Sequence, residues 1–176
     1  GAMCREHDRL VLTELHPNDF PRLLQTFRGD RRVKMFNEEG YQRLKASLPP
    51  KERRGVVLID PPYELKSEYT DLVKGVREAA KRWATGTYAI WYPVVQRHEV
   101  RSLESKMKGT NIRKILRIEM CVLPDSKEYG MTGSGMIVIN PPWKLEQQMK
   151  ELLPWLTDKL GQSPEASFKV DWLVPE

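Results

Sequence analysis

The chain has 176 residues, of which 40% are hydrophobic and 30% charged, a length and balance that suit one domain with a buried core and exclude a disordered composition. Its net charge of +5 fits a polyanionic partner without demanding one. No apolar run approaches the roughly 20 residues of a membrane span, and the N-terminus lacks a signal-peptide core, so a membrane-free, reducing cytoplasm is the expected compartment.

Gly1-Ala2-Met3 reads as the scar of a removed tag, which leaves 4–176 as the expected domain. Cys4 and Cys121 form no CxxC pair, and Cys121 lies in an apolar run as a buried thiol would. His7, His16 and His98 lack metal-ligand spacing, so no metal site is expected.

In chain order, Leu10 to Thr13 is a short strand. Asn18 is placed to cap a helix carrying Phe20, Leu23, Leu24 and Phe27 on one face, closed by Gly29. Arg32 to Phe36 reads as a second strand, and Tyr41, Leu44 and Leu48 as a short helix ended by Pro49-Pro50. Val56 to Ile59 is a continuous aliphatic run, the pattern of a strand covered on both faces. A helix capped at Ser67 then turns Leu72, Val76, Ala79, Ala80 and Trp83 inward. Tyr88 to Tyr92 is a strand, and Val100, Leu103 and Met107 mark a helix stopped near Gly109. Ile115 to Leu123 and Met136 to Ile139 are strands around a loop containing Gly and Ser. Leu145, Met149, Leu152, Leu156 and Leu160 form a helical stripe with Pro154 as a kink, and Phe168 to Val174 is the last strand. The five tryptophans read mostly as core or rim. Such alternation predicts a parallel α/β sheet with helices on both faces. Ligands bind beyond the carboxyl ends of such strands.

The strand Val56 to Ile59 runs into Asp60-Pro61-Pro62-Tyr63. Two prolines stop the ladder, stiffen the turn and leave carbonyl oxygens with no N–H of their own. A carboxylate beside those carbonyls can hold an exocyclic amine by its two N–H donors and leave the lone pair exposed. The ring of Tyr63 can stack on a planar base. The combination suits methylation of an amino group on a nucleobase. Asn140-Pro141-Pro142-Trp143 repeats the pattern more loosely, but it follows most of the strands, and a helix-starting turn is the simpler account. Earlier strand ends carry Glu14, placed to hold ribose hydroxyls, and Asn37-Glu38-Glu39-Gly40, where a side chain and a backbone N–H can meet an adenine edge.

Leu12 to Pro17, Leu58 to Glu64, Gly86 to Val94 and Gly135 to Glu146 closely resemble the RlmJ family of bacterial 23S ribosomal RNA adenine-N6 methyltransferases, and the likeness runs from about Leu10 to Glu176. The resemblance implies a Rossmann-like methyltransferase fold, mostly parallel, with S-adenosylmethionine as donor, S-adenosylhomocysteine as product and protein-free 23S ribosomal RNA as substrate. It gives Asp60, Pro61, Pro62 and Tyr63 the catalytic positions. Glu14 takes the ribose position, and Glu39 and Gly40 match an Asp-Gly pair near the cofactor's adenine, Glu39 departing from that Asp. Asp60 also borders the cofactor.

The family's basic, histidine-containing first segment and its glycine-loop strand have no counterpart before Leu10. The strand so lacking belongs between Leu10–Thr13 and Val56–Ile59. The chain is therefore expected to be the C-terminal portion of an enzyme, inactive by itself and prone to self-association through open sheet edges. The rivals are a non-catalytic RNA-binding module and a DNA adenine-N6 methyltransferase. Three basic clusters are candidates for phosphate contact: Arg31, Arg32 and Lys34; Lys51, Arg53 and Arg54; and Lys106, Lys108, Arg113, Lys114 and Arg117.

Overall fold

The computed structural model describes residues 3–64, 66–126, 128 and 130–176. The expected tag remnant at Gly1 and Ala2 lies outside the described residues. The chain divides into two compact units, 1–48 and 49–176.

The first unit is a βαβ hand-over followed by a helix. Strand β1 (Leu10–Thr13) pairs in parallel with β2 (Val33–Phe36), Leu10 opposite Val33. Helix α1 (Asp19–Thr26) connects them and α2 (Gly40–Ser47) follows. Asn18 occupies the N-cap position, but its side chain makes no cap hydrogen bond. The helix is instead started by the His16 carbonyl, which accepts from the Asp19 and Phe20 N–H groups at 3.2 and 3.1 Å. Gly29 reverses the chain at φ +84°, a conformation that costs a residue without Cβ little. Among the described residues of this unit only Leu48 is buried.

The second unit holds the core. Its five strands are β3 (Val56–Ile59), β4 (Thr87–Val94), β5 (Ile115–Cys121), β6 (Gly133–Ile139) and β7 (Ser167–Val174), hydrogen-bonded in the order β3-β4-β6-β5-β7. The helices are α3 (Lys66–Arg82), α4 (Arg97–Lys108) and α5 (Leu145–Leu160). Helix α3 begins one residue before Ser67, so Ser67 is inside the first turn rather than its cap. Pro154 lies inside α5.

The α/β class read from the sequence holds, but the sheet is mixed rather than mostly parallel. Among the described residues β1–β2 and β3–β4 are parallel, and β4–β6, β5–β6 and β5–β7 are antiparallel. The reason is local. Among the described residues no helix separates β5 from β6, and a loop alone can return a strand only antiparallel.

Helices cover both faces of this sheet. Asp171 lies opposite Arg117, which reaches Glu104 of α4 at 2.6 Å, whereas Trp172 lies opposite Leu116 and donates to Glu146 of α5 at 2.8 Å. Neighbouring residues of a strand point to opposite faces, so α4 and α5 sit on opposite sides. Helix α3 shares the α4 side. Its Leu72, Val76 and Ala79 are buried, and the Tyr88 hydroxyl donates to the carbonyls of Ala79 and Trp83 at 3.0 and 2.9 Å, closing the end of the helix. Burial raises the pKa of that hydroxyl to about 12. Cys121 is the free, buried thiol its sequence setting predicts. Of the tryptophans only Trp83 is core, and Trp143 is 86% exposed.

A buried polar rung crosses the sheet. Gly135 of β6 lies between Tyr92 of β4 and Glu119 of β5, and Glu119 lies opposite Lys169 of β7. Because Gly135 has no side chain, the Tyr92 ring passes over it and donates to Glu119 at 3.0 Å. Arg97, at the start of α4, meets both Glu119 oxygens at 2.9 Å and bridges to Asp125, while Lys169 donates at 3.0 Å.

Candidate active site

Strands β3 and β4 run in the same direction, so the turn after Ile59 lies at their shared carboxyl end. This is the end at which open α/β sheets bind ligands. Asp60 is exposed there, and its carboxylate has no hydrogen-bond or ion-pair partner among the described residues. Pro61 and Pro62 remove two N–H donors from the turn and fix its course.

Tyr63 is held in place by its surroundings. Its φ is +57°, in the left-handed region, which costs a bulky residue about 1–3 kcal/mol. Its hydroxyl donates to the Trp91 carbonyl at 2.5 Å, and its ring lies 4.8 Å from that of Tyr69 and 6.1 Å from that of Trp91. A strained residue over-determined by its neighbours is characteristic of functional turns. Sequence reading missed Tyr69. The available signal was an aromatic residue six positions after Tyr63, at the start of the next helix and on its buried side.

The second Pro-Pro turn sits at the other end of the sheet. Strand β6 is antiparallel to β4, so Asn140 follows Ile139 at the end where β3 and β4 begin. Asn140 adopts φ +48° and spends both amide hydrogens on the Ala84 and Gly86 carbonyls, at 2.7 and 2.9 Å. Its own carbonyl accepts from Thr87 at 2.9 Å. These bonds tie down the entry to β4, a structural task that leaves the amide no donor for a substrate.

Of the expected cofactor residues, Glu14, Glu39 and Gly40 lie in the first unit and Asp60 in the second. Glu14 follows β1 and Asn37 follows β2, and the Asn37 amide donates to the Glu14 carbonyl at 2.7 Å, so the two adjacent strand ends are bonded together. One Glu14 carboxylate oxygen accepts from the His16 N–H at 2.7 Å. The other has no partner among the described residues. Glu39 is the N-cap of α2, its two oxygens accepting from Tyr41 N–H at 2.8 Å and Gln42 N–H at 2.7 Å, just before Gly40. Glu38 forms a forked pair with Arg43, whose guanidinium lies 3.7 Å over the Phe36 ring.

Several members of the basic clusters are neutralised. Arg32 is forked onto Asp30, and Arg117 is held between Glu104 and Asp171. Lys114 and Arg113 both engage Glu176. The Asp30 carboxyl is pulled down to about 2, chiefly by the side-chain hydrogen bond from Arg32.

The family model described as ribosomal RNA large subunit methyltransferase D, RlmJ, matches residues 1–174, across both units. The chain is 55% identical over 176 residues to the ribosomal RNA large subunit methyltransferase J of Haemophilus influenzae and 55% identical over 174 residues to that of Escherichia coli. It is covered to 100% and 99% by these alignments and spans 63% and 62% of the relatives' own length. A crystal structure of the Legionella pneumophila protein LPL1258 superposes with a TM-score of 0.88 at 35% identity, over 97% of this chain and 62% of that one. A match across nearly the whole chain, at this identity, shows that the chain belongs to the RlmJ family of ribosomal RNA large subunit methyltransferases.

Proposed function

We propose that the protein transfers a methyl group from S-adenosylmethionine to N6 of an adenine in 23S ribosomal RNA, acting in the cytoplasm on protein-free RNA. Residues 4–176 supply part of a methyltransferase domain. The observation that carries this reading is the exposed, unpartnered Asp60 carboxylate at the carboxyl end of β3, beside the strained and immobilised Tyr63.

When bound, S-adenosylmethionine supplies an electrophilic methyl group on a sulfonium, and transfer leaves S-adenosylhomocysteine. The chain's own residues address the other reactant. The adenine is turned out of its stack into the turn. Asp60 and the Pro61 carbonyl accept from the two hydrogens of the amine, and Tyr63 stacks on the ring. The amine is a poor nucleophile because its lone pair is delocalised into the ring. Holding it pyramidal and in line with the methyl carbon supplies most of the rate enhancement. The N6 proton released on methylation would pass to Asp60 or to water.

The free Glu14 oxygen suits a ribose hydroxyl. Both Glu39 oxygens already cap α2, so the adenine contact expected there falls to the backbone around Gly40. Glu14→Ala in the full-length protein should weaken S-adenosylmethionine binding by roughly 1–3 kcal/mol, the scale of hydrogen bonds to a charged group. Unchanged affinity by calorimetry would reduce Glu14 to a strand-end acid.

The overall reading is tested by tritiated methyl incorporation into deproteinised 23S ribosomal RNA, intact ribosomal subunits and adenine-containing duplex DNA. Incorporation into the naked RNA alone is expected. Preference for DNA, or no transfer at all, would overturn the reading.

Residues 1–176 by themselves should bind the cofactor weakly or not at all, transfer no methyl group and self-associate. β1 and β3 each have a strand on one edge only among the described residues. Beside that open edge, Val56 and Leu58 are 69% and 71% exposed. Unpaired ladder edges are templates for another chain. Light scattering and calorimetry check both expectations, and a clean monomer with micromolar cofactor affinity would refute them.

A further inference from the structure

A cavity of about 260 Å³ opens between α3 and α4, away from the turn after β3. Thr70, Val73, Lys74 and Arg77 line it from α3, and Lys106 and Thr110 from the end of α4. The four α3 positions follow the i, i+3, i+4, i+7 spacing of one helix face. Three cationic side chains and Thr70 border the space, no acid lines it, and the Thr110 hydroxyl turns away to the Met107 carbonyl.

These cations are available, unlike several others of the second unit. Arg97, Arg117 and Lys169 each touch a carboxylate at 3.0 Å or less. Arg77 has no carboxylate partner among the described residues, and neither has Lys106, which donates to the Thr70 hydroxyl at 3.0 Å. Lys74 meets Asp71 only at 3.4 Å, with both side chains more than half exposed. The α4 carboxyl end would ordinarily repel an anion. Here the Met107 carbonyl is taken by the Thr110 hydroxyl at 2.6 Å and the Ser105 carbonyl by the Gly109 N–H at 3.1 Å, while Lys106 and Lys108 counter the remaining dipole.

The cleft and the turn are linked through the start of α3. Thr70 directly follows Tyr69, whose ring packs on Tyr63. From Thr70 to Arg77 the helix advances about 10 Å. We propose that the α3–α4 cleft binds a phosphodiester of the RNA strand whose adenine enters the turn after β3. Arg77 and Lys106 supply charge to the phosphate oxygens and Thr70 a hydroxyl donor, contacts that fix register rather than sequence. The inference rests on the nucleic-acid reading above and deepens it.

The test is fluorescence anisotropy of a labelled, single-stranded, adenine-containing oligoribonucleotide bound to the full-length protein. Arg77→Gln combined with Lys106→Gln should weaken binding roughly tenfold. It should also make the slope of log affinity against log salt less negative by about 0.7, since single strands lose about 0.7 per neutralised phosphate and the cleft holds one. Lys150→Gln with Lys159→Gln makes the same charge change on α5, across the sheet, and should do neither. Equal losses in the two pairs would reveal a general field effect and overturn the cleft, as would no loss in the first pair. Both pairs alter exposed or solvent-lined positions, and calorimetric unfolding checks that each variant is folded. Methyl transfer at wild-type KM for RNA in the cleft variant would sink the cleft alone. Cleft-dependent RNA binding without methyl transfer would sink the methyltransferase reading alone.

Discussion

Asp60→Ala in the full-length protein is expected to lower methyl transfer by roughly 10²–10⁴-fold, the range for losing a positioned acceptor at the reacting group. Asp60 lies at the carboxyl end of two parallel strands, exposed and without a protein partner among the described residues, so its removal breaks no fold contact described here. The loss should therefore appear in kcat, with the unfolding temperature unchanged and S-adenosylmethionine affinity within a few fold, because the carboxylate is assigned mainly to the amine. Asn140→Ala is the contrasting variant. It removes two hydrogen bonds and places an alanine at φ +48°. Stability should fall by about 1–3 kcal/mol while transfer per folded molecule persists. Full activity in Asp60→Ala, or loss of activity confined to Asn140→Ala, would reverse the assignment of the two Pro-Pro turns.

Much of the second unit was legible in the sequence because its strands and helices carry strong periodic patterns. Val56 to Ile59 is a strand as its aliphatic run predicts, but Val56 and Leu58 are 69% and 71% exposed, so it is not covered on both faces; the α3 stripe at Leu72, Val76 and Ala79 is buried as its spacing predicts. The mixed pairing was not legible, because periodicity marks strands but not their direction. The clue was the Gly- and Ser-containing stretch between β5 and β6, which carries no helical apolar spacing. Capping was misjudged at Asn18 and Ser67 because a capping residue type is necessary for that geometry but not sufficient. At the site, the chemistry of Asp60 to Tyr63 could be read from residue types alone. The tie from Tyr63 to Trp91 and the rung through Gly135 depend on contacts between residues far apart in the chain, which no local pattern carries.

Gly135→Ala should be the most damaging small substitution away from the site. A Cβ there would lie 2.3 Å from Cζ and 2.4 Å from the hydroxyl oxygen of Tyr92, a fully buried ring with no room to withdraw. Either the ring leaves Glu119 or the β4–β6–β5 ladder distorts. The first outcome strips a donor from a carboxylate that is 1% exposed. Burial alone would raise the Glu119 pKa, but the hydrogen bond from Lys169 and the charge of Arg97 outweigh it, leaving the carboxyl below its ordinary range. Its stabilising contribution is therefore present above the unfolded carboxylate range and is lost as pH falls through the lowered folded value. Burial and the neighbouring Glu119 charge together push the Tyr92 hydroxyl up, so it stays protonated and able to donate across the working range. Overpacking together with damage to a buried charged network is expected to cost about 3–5 kcal/mol, a large share of a domain's stability. Denaturant unfolding should show the variant weakened at neutral pH and its acid transition moved to higher pH. The cause is separable by a double-mutant cycle, because Tyr92→Ala removes the obstacle. In that background Gly135→Ala should cost less than about 1 kcal/mol. A penalty that persists after the ring is gone would place the requirement for glycine in the backbone of β6 rather than in the passage of Tyr92 to Glu119.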